Sequence, residues 1–145
     1  MKLSFPPVIT LVCILVQVLL YNLIPLSVNL SILLGLFLLF PSLGVIFLAL
    51  KELHKHETTI YPDGEPEYLV ATGPFKYSRN PIYLGMFGII LSMAFLMQSL
   101  SALLVPILFI LILENTWIPH EEEKLEEKFK DQWNDYKTST KRWLW

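Results

Sequence analysis

Apolar and polar residues lie in long separate blocks along this chain. After Lys2 no Asp, Glu, Lys or Arg occurs until Lys51, and none occurs between Arg79 and Glu114. The first charge-free block is long enough to cross a bilayer core twice at about 20 residues per helix, and the second at the short end of the spanning range, about 17. Turn signals divide the blocks. Pro6 and Pro7 suit the first turn of a helix, where a missing N–H costs nothing. Pro25 closes that run, because the residue before a proline is pushed out of the helical region. Ser27-Val28-Asn29 then form a turn, and Gln98-Ser99 split the second block into a tight hairpin. The pattern predicts an all-α integral membrane fold with about four transmembrane helices, over residues 7–24, 29–50, 82–98 and 100–118. Pro41 and Pro106 fall inside spans as expected kinks, which packed neighbours tolerate in lipid.

The two charged segments are different material. Residues 51–81 carry Pro62, Gly64, Pro66, Gly73, Pro74 and Pro81, and read as a loop with at most one short helix. A loop that long is functional or disordered. Its aromatics Tyr61, Tyr68, Phe75 and Tyr77 favour function. Residues 120–138 read as one amphipathic helix. Leu125, Phe129, Trp133 and Tyr136 share a face, with Glu126, Glu127, Lys130, Asp131 and Lys137 opposite. With four spans, every Lys and Arg falls on one side. The positive-inside rule makes that side cytoplasmic, with both termini there. The two polar segments are then expected to meet at one membrane face, which is the main physical pointer to a site.

Composition agrees with a membrane chain. Of 145 residues, 54% are hydrophobic and 17% charged, and the mean hydropathy is +0.52. A soluble domain carries more charge than this. The length suits a single domain over residues 1–145. The lone Cys13 cannot form an internal disulfide. Its apolar surroundings offer no cation to favour a thiolate, so it reads as a packing residue. No Ala precedes Ala49, so the first apolar run lacks a signal-peptidase site and reads as a retained helix. No glycine fingerprint for nucleotides and no zinc spacing is present. No nucleic-acid partner is expected.

Three constellations could do chemistry. Gly73-Pro74-Phe75-Lys76-Tyr77-Ser78-Arg79-Asn80-Pro81-Ile82-Tyr83-Leu84-Gly85 is a rigid turn into the third span. Arg79 there offers a fixed fork for a carboxylate. Equally, Arg and Tyr at that depth serve as interfacial anchors. Glu121-Glu122-Glu123 follows the fourth span, where carboxylates favour a helix N-terminus. Glu114, seven residues earlier, faces the same way as Glu121 on a continuous helix. An ionisable group at the end of an apolar span is a functional candidate, and Asn115 beside it could bond a ligand. His54-x-His56 lacks a third metal ligand and reads as a solvent-facing or hydrogen-bonding pair.

Taken together, these blocks resemble the isoprenylcysteine carboxyl methyltransferase and phospholipid methyltransferase superfamily. Thr58, Thr59 and Pro62 match its T-x-x-P approach. Gly73-Pro74-Phe75, Tyr77 and Arg79-Asn80-Pro81-x-Tyr83-x-Gly85 match its arginine-loop signature. Glu121-Glu122-x-x-Leu125-x-x-x-Phe129 matches its double-glutamate signature, and Trp133, Tyr136, Arg142 and Trp143 its aromatic and basic tail. The chain departs at Asn80, Lys130 and Thr140, where histidine, glycine and valine are usual. The resemblance implies an S-adenosylmethionine-dependent methyltransferase at the cytoplasmic face, its substrate reaching the site laterally from lipid. It implies Arg79, Glu122 and Arg142 as catalytic residues. It implies Gly73, Pro74, Tyr77, Arg79, Asn80, Pro81, Tyr83, Gly85, Glu121 and Glu122 as cofactor-binding residues, with no metal. Arg79 would orient a carboxylate of substrate or cofactor, and Glu121 or Glu122 the ribose hydroxyls or amino group. Arg142 would close the site from the tail. The expected partners are the bilayer and a hydrophobic or lipid-linked acceptor carrying a carboxylate. An ethanolamine-type phospholipid amine, or a non-catalytic scaffold, are the other readings. A bacterial or archaeal cell membrane suits so small a chain, or the endoplasmic reticulum in a eukaryote.

Overall fold

The computed structural model describes residues 6–59 and 64–145. The expected roles of Tyr61 and Pro62, and the charge at Lys2, lie outside them. The described residues form six α-helices and two short 3-10 turns: α1 (Pro6–Leu23), α2 (Ile32–Lys55), α3 (Pro81–Leu96), α4 (Leu104–Asn115), α5 (Trp117–Phe129) and α6 (Asp131–Ser139). The 3-10 turns are Gly73–Lys76 and Ser101–Leu103. Three stretches are long and apolar enough to cross a membrane, and α3 is a shorter apolar helix beside them.

α3 is the axis of the bundle. It packs along α2 on one side and against α1 and α4 on the other. Its 16 residues reach only about 24 Å. A short helix suffices because protein surrounds it: Tyr83, Met86, Ile90 and Ala94 are all buried. α1 and α2 turn their outer faces to lipid, with Leu33 at 78% and Phe37 at 72% exposure. Two glycines, Gly85 and Gly88, let α2 come close. A Cβ on Gly85 would stand 2.8 Å from the Ser42 carbonyl and 2.5 Å from Ile46 Cγ1. Gly85 is thus a helix-packing residue and does not line the cleft as expected.

Proline in the fourth span frees a carbonyl, and α1 answers it. Pro106 has no N–H to offer the Ala102 carbonyl one turn earlier. Buried Gln17 donates Nε2–H to that carbonyl at 3.1 Å, and to the Ile90 carbonyl at 2.8 Å. At the far face the two connections are stitched together. Val28 N–H donates to Gln98 O, and Leu100 N–H to Leu26 O, both at 2.9 Å.

The helix limits depart from the expected ones at the polar face. α2 runs a turn beyond residue 50, so Lys51–Lys55 are helical and not loop. Thr116 (φ −128°, ψ −82°) breaks the chain between α4 and α5, so Glu114 and Glu121 do not share one continuous helix. The single helix expected over 120–138 is two helices. Lys130 adopts φ +46° and turns α6 away from α5.

Candidate active site

The segment before α3 is shaped by two residues. Gly73 adopts φ +58°, a left-handed value that favours glycine, and a Cβ added there would meet the Glu52 side chain at 3.3 Å. Pro74 starts the 3-10 turn with its preset φ. The chain then lies against the C-terminal tail and is laced to it through the backbone. Arg79 N–H donates to Lys141 O at 2.9 Å. Ser78 Oγ–H donates to Arg142 O at 2.9 Å, and Asn80 Nδ2–H to the same oxygen at 3.3 Å. Tyr136 Oη–H donates to Phe75 O at 2.6 Å.

Glu122 is the electrostatic centre of this junction. Its Oε1 accepts from Arg79 Nη2 at 2.9 Å and Nε at 3.3 Å, and from Arg142 Nε at 3.1 Å. Its Oε2 accepts from Arg142 Nη2 at 2.5 Å. Burial alone would push the Glu122 carboxyl up, but the hydrogen bonds and charges of Arg142 and Arg79 together hold it below the usual glutamate range. The Glu122 carboxylate in turn raises Arg142. The other side of the Arg79 fork donates to two tail carbonyls, Thr140 O at 2.6 Å and Lys137 O at 3.0 Å. Its guanidinium carbon sits 5.7 Å over the Trp133 ring. Burial pushes the Tyr136 hydroxyl well above its ordinary value.

Beside this triad is a cavity of about 440 Å³. Arg79, Asn80, Pro81, Tyr83, Glu121 and Glu122 all contribute to its wall. Tyr83 Oη–H donates to Glu121 Oε1 at 2.5 Å. Five of the expected residues are not in the wall. Gly73 and Pro74 shape the loop behind it, Tyr77 is 70% exposed, Gly85 faces α2, and Arg142 acts from behind Glu122. Glu114 also lies apart, accepting the Trp143 indole N–H at 2.7 Å.

Sequence reasoning missed several wall residues. Ile46, Leu50 and Leu53 of α2 supply apolar surface, as do Met86 and Leu125. Trp133 and Tyr136 enter from α6. For α6 the signal was present in the apolar stripe. For α2 no local signal separates a pocket-facing leucine from a lipid-facing one. Thr58 braces the loop, its Oγ1 accepting from the N–H groups of Glu67 (3.1 Å) and Tyr68 (3.3 Å). His56 stacks on Tyr68 with ring centres 4.6 Å apart, and lies 3.3 Å from both Glu52 and Thr72 oxygens. His54 is exposed.

Fold and cavity together define a multi-pass membrane protein with a polar-lipped pocket at one face of the bundle. The chain belongs to the phospholipid methyltransferase family, whose sequence model matches residues 30–132, within the isoprenylcysteine/phospholipid methyltransferase superfamily. Membership makes it a membrane methyltransferase. It is also similar to an uncharacterized protein of Haemophilus influenzae, 36% identical over 63 residues that span 43% of this chain and all of that one. No solved structure matches the chain.

Proposed function

We propose that this protein transfers a methyl group from S-adenosylmethionine to a carboxylate of a hydrophobic or lipid-linked molecule. One observation carries the reading. The arginine loop (Arg79 to Tyr83) and the double glutamate (Glu121, Glu122) wall the same cavity, whose remaining wall comes from apolar helix ends and from the loop between α2 and α3. The cavity falls in the range of small-ligand sites, about 300–1,000 Å³. Bound there, S-adenosylmethionine supplies an electrophilic methyl group on a positively charged sulfur. Glu121 is suited to the ribose hydroxyls or the amino group, with Tyr83 fixing its carboxylate. Aromatic wall residues Tyr68 and Phe75 offer faces for the adenine. Arg79 holds Glu122 and the tail in register, so its contribution is to order the wall. Pro6, Pro7, Ile46 and Leu50 belong to membrane-crossing helices, which supports lateral access for a lipid-soluble acceptor. Apolar walls exclude water and favour a reaction in which opposite charges cancel, which a carboxylate acceptor offers. The cytoplasmic leaflet is the side this reading assigns to the site.

A second reading takes the acceptor as a lipid headgroup amine. The family's description favours it, and so does Glu121 in the wall, because an ammonium must give up a proton before it can attack. Purified protein in detergent, titrated calorimetrically with S-adenosylmethionine, is expected to bind. Methyl-labelled donor incubated with membranes is expected to give a lipid-extractable product. A base-labile label supports the ester, and a base-stable label the amine. Absence of both binding and transfer rejects the proposal and leaves a scaffold. In Arg79→Ala both signals are expected to be lost. Unchanged binding and transfer in that variant remove Arg79 from the site.

A further inference from the structure

His56 is a titratable side chain that the proposed reaction leaves without a task, and it stands behind one part of the cavity wall. Its ring stacks on Tyr68, with centres 4.6 Å apart and planes 2° from parallel. Tyr68 is half exposed and belongs to the wall, together with Thr58, Leu69 and Val70 of the same loop. The chain reverses just after His56, where Glu57 takes φ +51°, and Thr58 Oγ1 then accepts from the Glu67 and Tyr68 N–H groups. Proton counting fixes the role of the imidazole. Thr72 Oγ1–H donates to Glu52 Oε1 at 2.6 Å, so the hydroxyl has no proton left to give and the carboxylate has none. His56 Nε2 lies 3.3 Å from both oxygens and is therefore the donor, which leaves Nδ1 to take up a second proton. Once charged, the ring makes a charge-assisted bond to Glu52 and sits favourably at the C-terminal end of α2. Of the groups facing it, α2 supplies Glu52, with Lys55 on the same carboxylate oxygen at 3.5 Å, and the loop supplies Tyr68 and the uncharged Thr72. His54 on α2 is exposed, and Lys76 is the one charge on the 3-10 turn packed against α2. Glu57, Glu65 and Glu67 are the loop's own carboxylates among the described residues.

We infer that His56 is a positioning residue whose protonation pins Tyr68, and with it the loop side of the cavity wall, to the end of α2. An imidazole changes charge between about pH 5 and pH 8. The pin is complete on the acid side of that range and loosens as pH rises through it. A wall ordered in advance costs a ligand less to order, so a tighter pin means tighter binding. The binding arm of the test rests on the methyl-donor reading. The pin itself does not, because every contact that makes it lies within the protein.

His56→Phe keeps a ring against Tyr68 and removes the proton. The probe is 5′-methylthioadenosine, which carries no charge across this range, titrated into full-length wild type and variant in detergent at several pH values. Wild type is expected to bind it about twofold to fivefold more weakly at the alkaline end than at the acid end, the scale of one partly exposed ion pair. The variant is expected to show a flat profile. A flat wild-type profile, or an equal slope in the variant, overturns the inference. If wild type binds no methylthioadenosine at any pH, the methyl-donor reading falls by itself, and hydrogen exchange without ligand decides the pin. The Glu67 and Tyr68 amides, corrected for their intrinsic rates, are expected to be better protected at the acid end in wild type and equally protected throughout in His56→Phe. Protection that is independent of pH in wild type, or equally dependent in the variant, overturns the pin. Should His56→Phe fail to fold, Glu52→Gln serves in its place, since it keeps the imidazole and removes the charge that the imidazole pairs with. It is expected to flatten both profiles, and a full wild-type slope in it rejects the proposal.

Discussion

Glu122 joins three elements through one carboxylate: the loop before α3 through Arg79, the tail through Arg142, and its own α5. Its side chain and that of Arg79 are each 10% exposed, so the pairing is made in a medium that punishes a missing partner. Glu122→Ala leaves two guanidiniums facing each other and is expected to cost roughly 3 kcal/mol, at the low end for a broken buried pair because Arg142 is 33% exposed. The pH dependence has a definite sign. The folded Glu122 value is depressed, so its contribution is complete above the ordinary glutamate value of 4.5 and is lost as pH falls through the lower folded value. Thermal midpoints in detergent between pH 7 and pH 3 are therefore expected to fall less steeply at the acid end for Glu122→Gln than for wild type. Parallel acid limbs in the two proteins remove Glu122 as the titrating clasp. Arg79 shows why this chemistry was half visible in the sequence. Its type and position marked it as a carboxylate binder, but the carboxylate lies within the same chain, and its two carbonyl partners in the tail leave no trace in residue identity.

At the scale of elements, close approach of α2 to α3 is what makes the bundle. Gly85 permits it, since an added methyl would meet backbone at 2.8 Å. Gly44, on α2, has nothing within 4 Å of its would-be Cβ. Gly85→Ala is thus expected to lower stability by about 1–3 kcal/mol through overpacking. Gly44→Ala is expected to be neutral or to gain up to about 1 kcal/mol from helix propensity. Chemical unfolding in mixed micelles measures both, and equal effects would contradict the packing. If Gly85 served a ligand instead, its alanine variant would change binding with stability intact. The junction of α5 and α6 is the second such point. Lys130 stands at φ +46° and ψ −111°, a conformation costly for a residue with a Cβ. The glycine that the family resemblance makes usual at this place hinted at a break, and the lysine here hid it behind an uninterrupted apolar stripe. Lys130→Gly is expected to stabilise the fold by roughly 1 kcal/mol, seen as a midpoint raised by a few degrees. A lowered midpoint would mean that the lysine side chain contributes more than its backbone strain costs.

For the whole molecule, the segregation of charge along the chain already determined the architecture. Lipid accepts no unpaired charge, so the two charge-free blocks had to become helices, and short turns forced them to alternate in direction. The local details escaped because they depend on partners distant in sequence. Gln17 is an uncharged polar residue inside an apolar helix, and it serves a carbonyl that Pro106 exposes 85 residues away from it at Ala102. The wall leucines of α2 likewise acquire meaning only once α3 lies beside them. What holds across all scales is that the Pro6 end of α1, the Lys55 end of α2, the Pro81 end of α3 and the Asn115 end of α4 share one face of the bundle, with the Ser27–Ser99 bridge at the other. Cysteine labelling reads this arrangement directly, because native Cys13 is buried within α1. Single cysteines at Tyr77 and Lys128, both exposed, are expected to react with a membrane-impermeant maleimide only after cells are opened. A cysteine at Asn29, exposed in the opposite connection, is expected to react in intact cells. The same pattern reversed would keep the pocket and move it to the outer leaflet, where no intracellular methyl donor is supplied. Reaction of Tyr77 and Lys128 positions from opposite sides would separate the arginine loop from the double glutamate, and with them the two halves of the cavity wall.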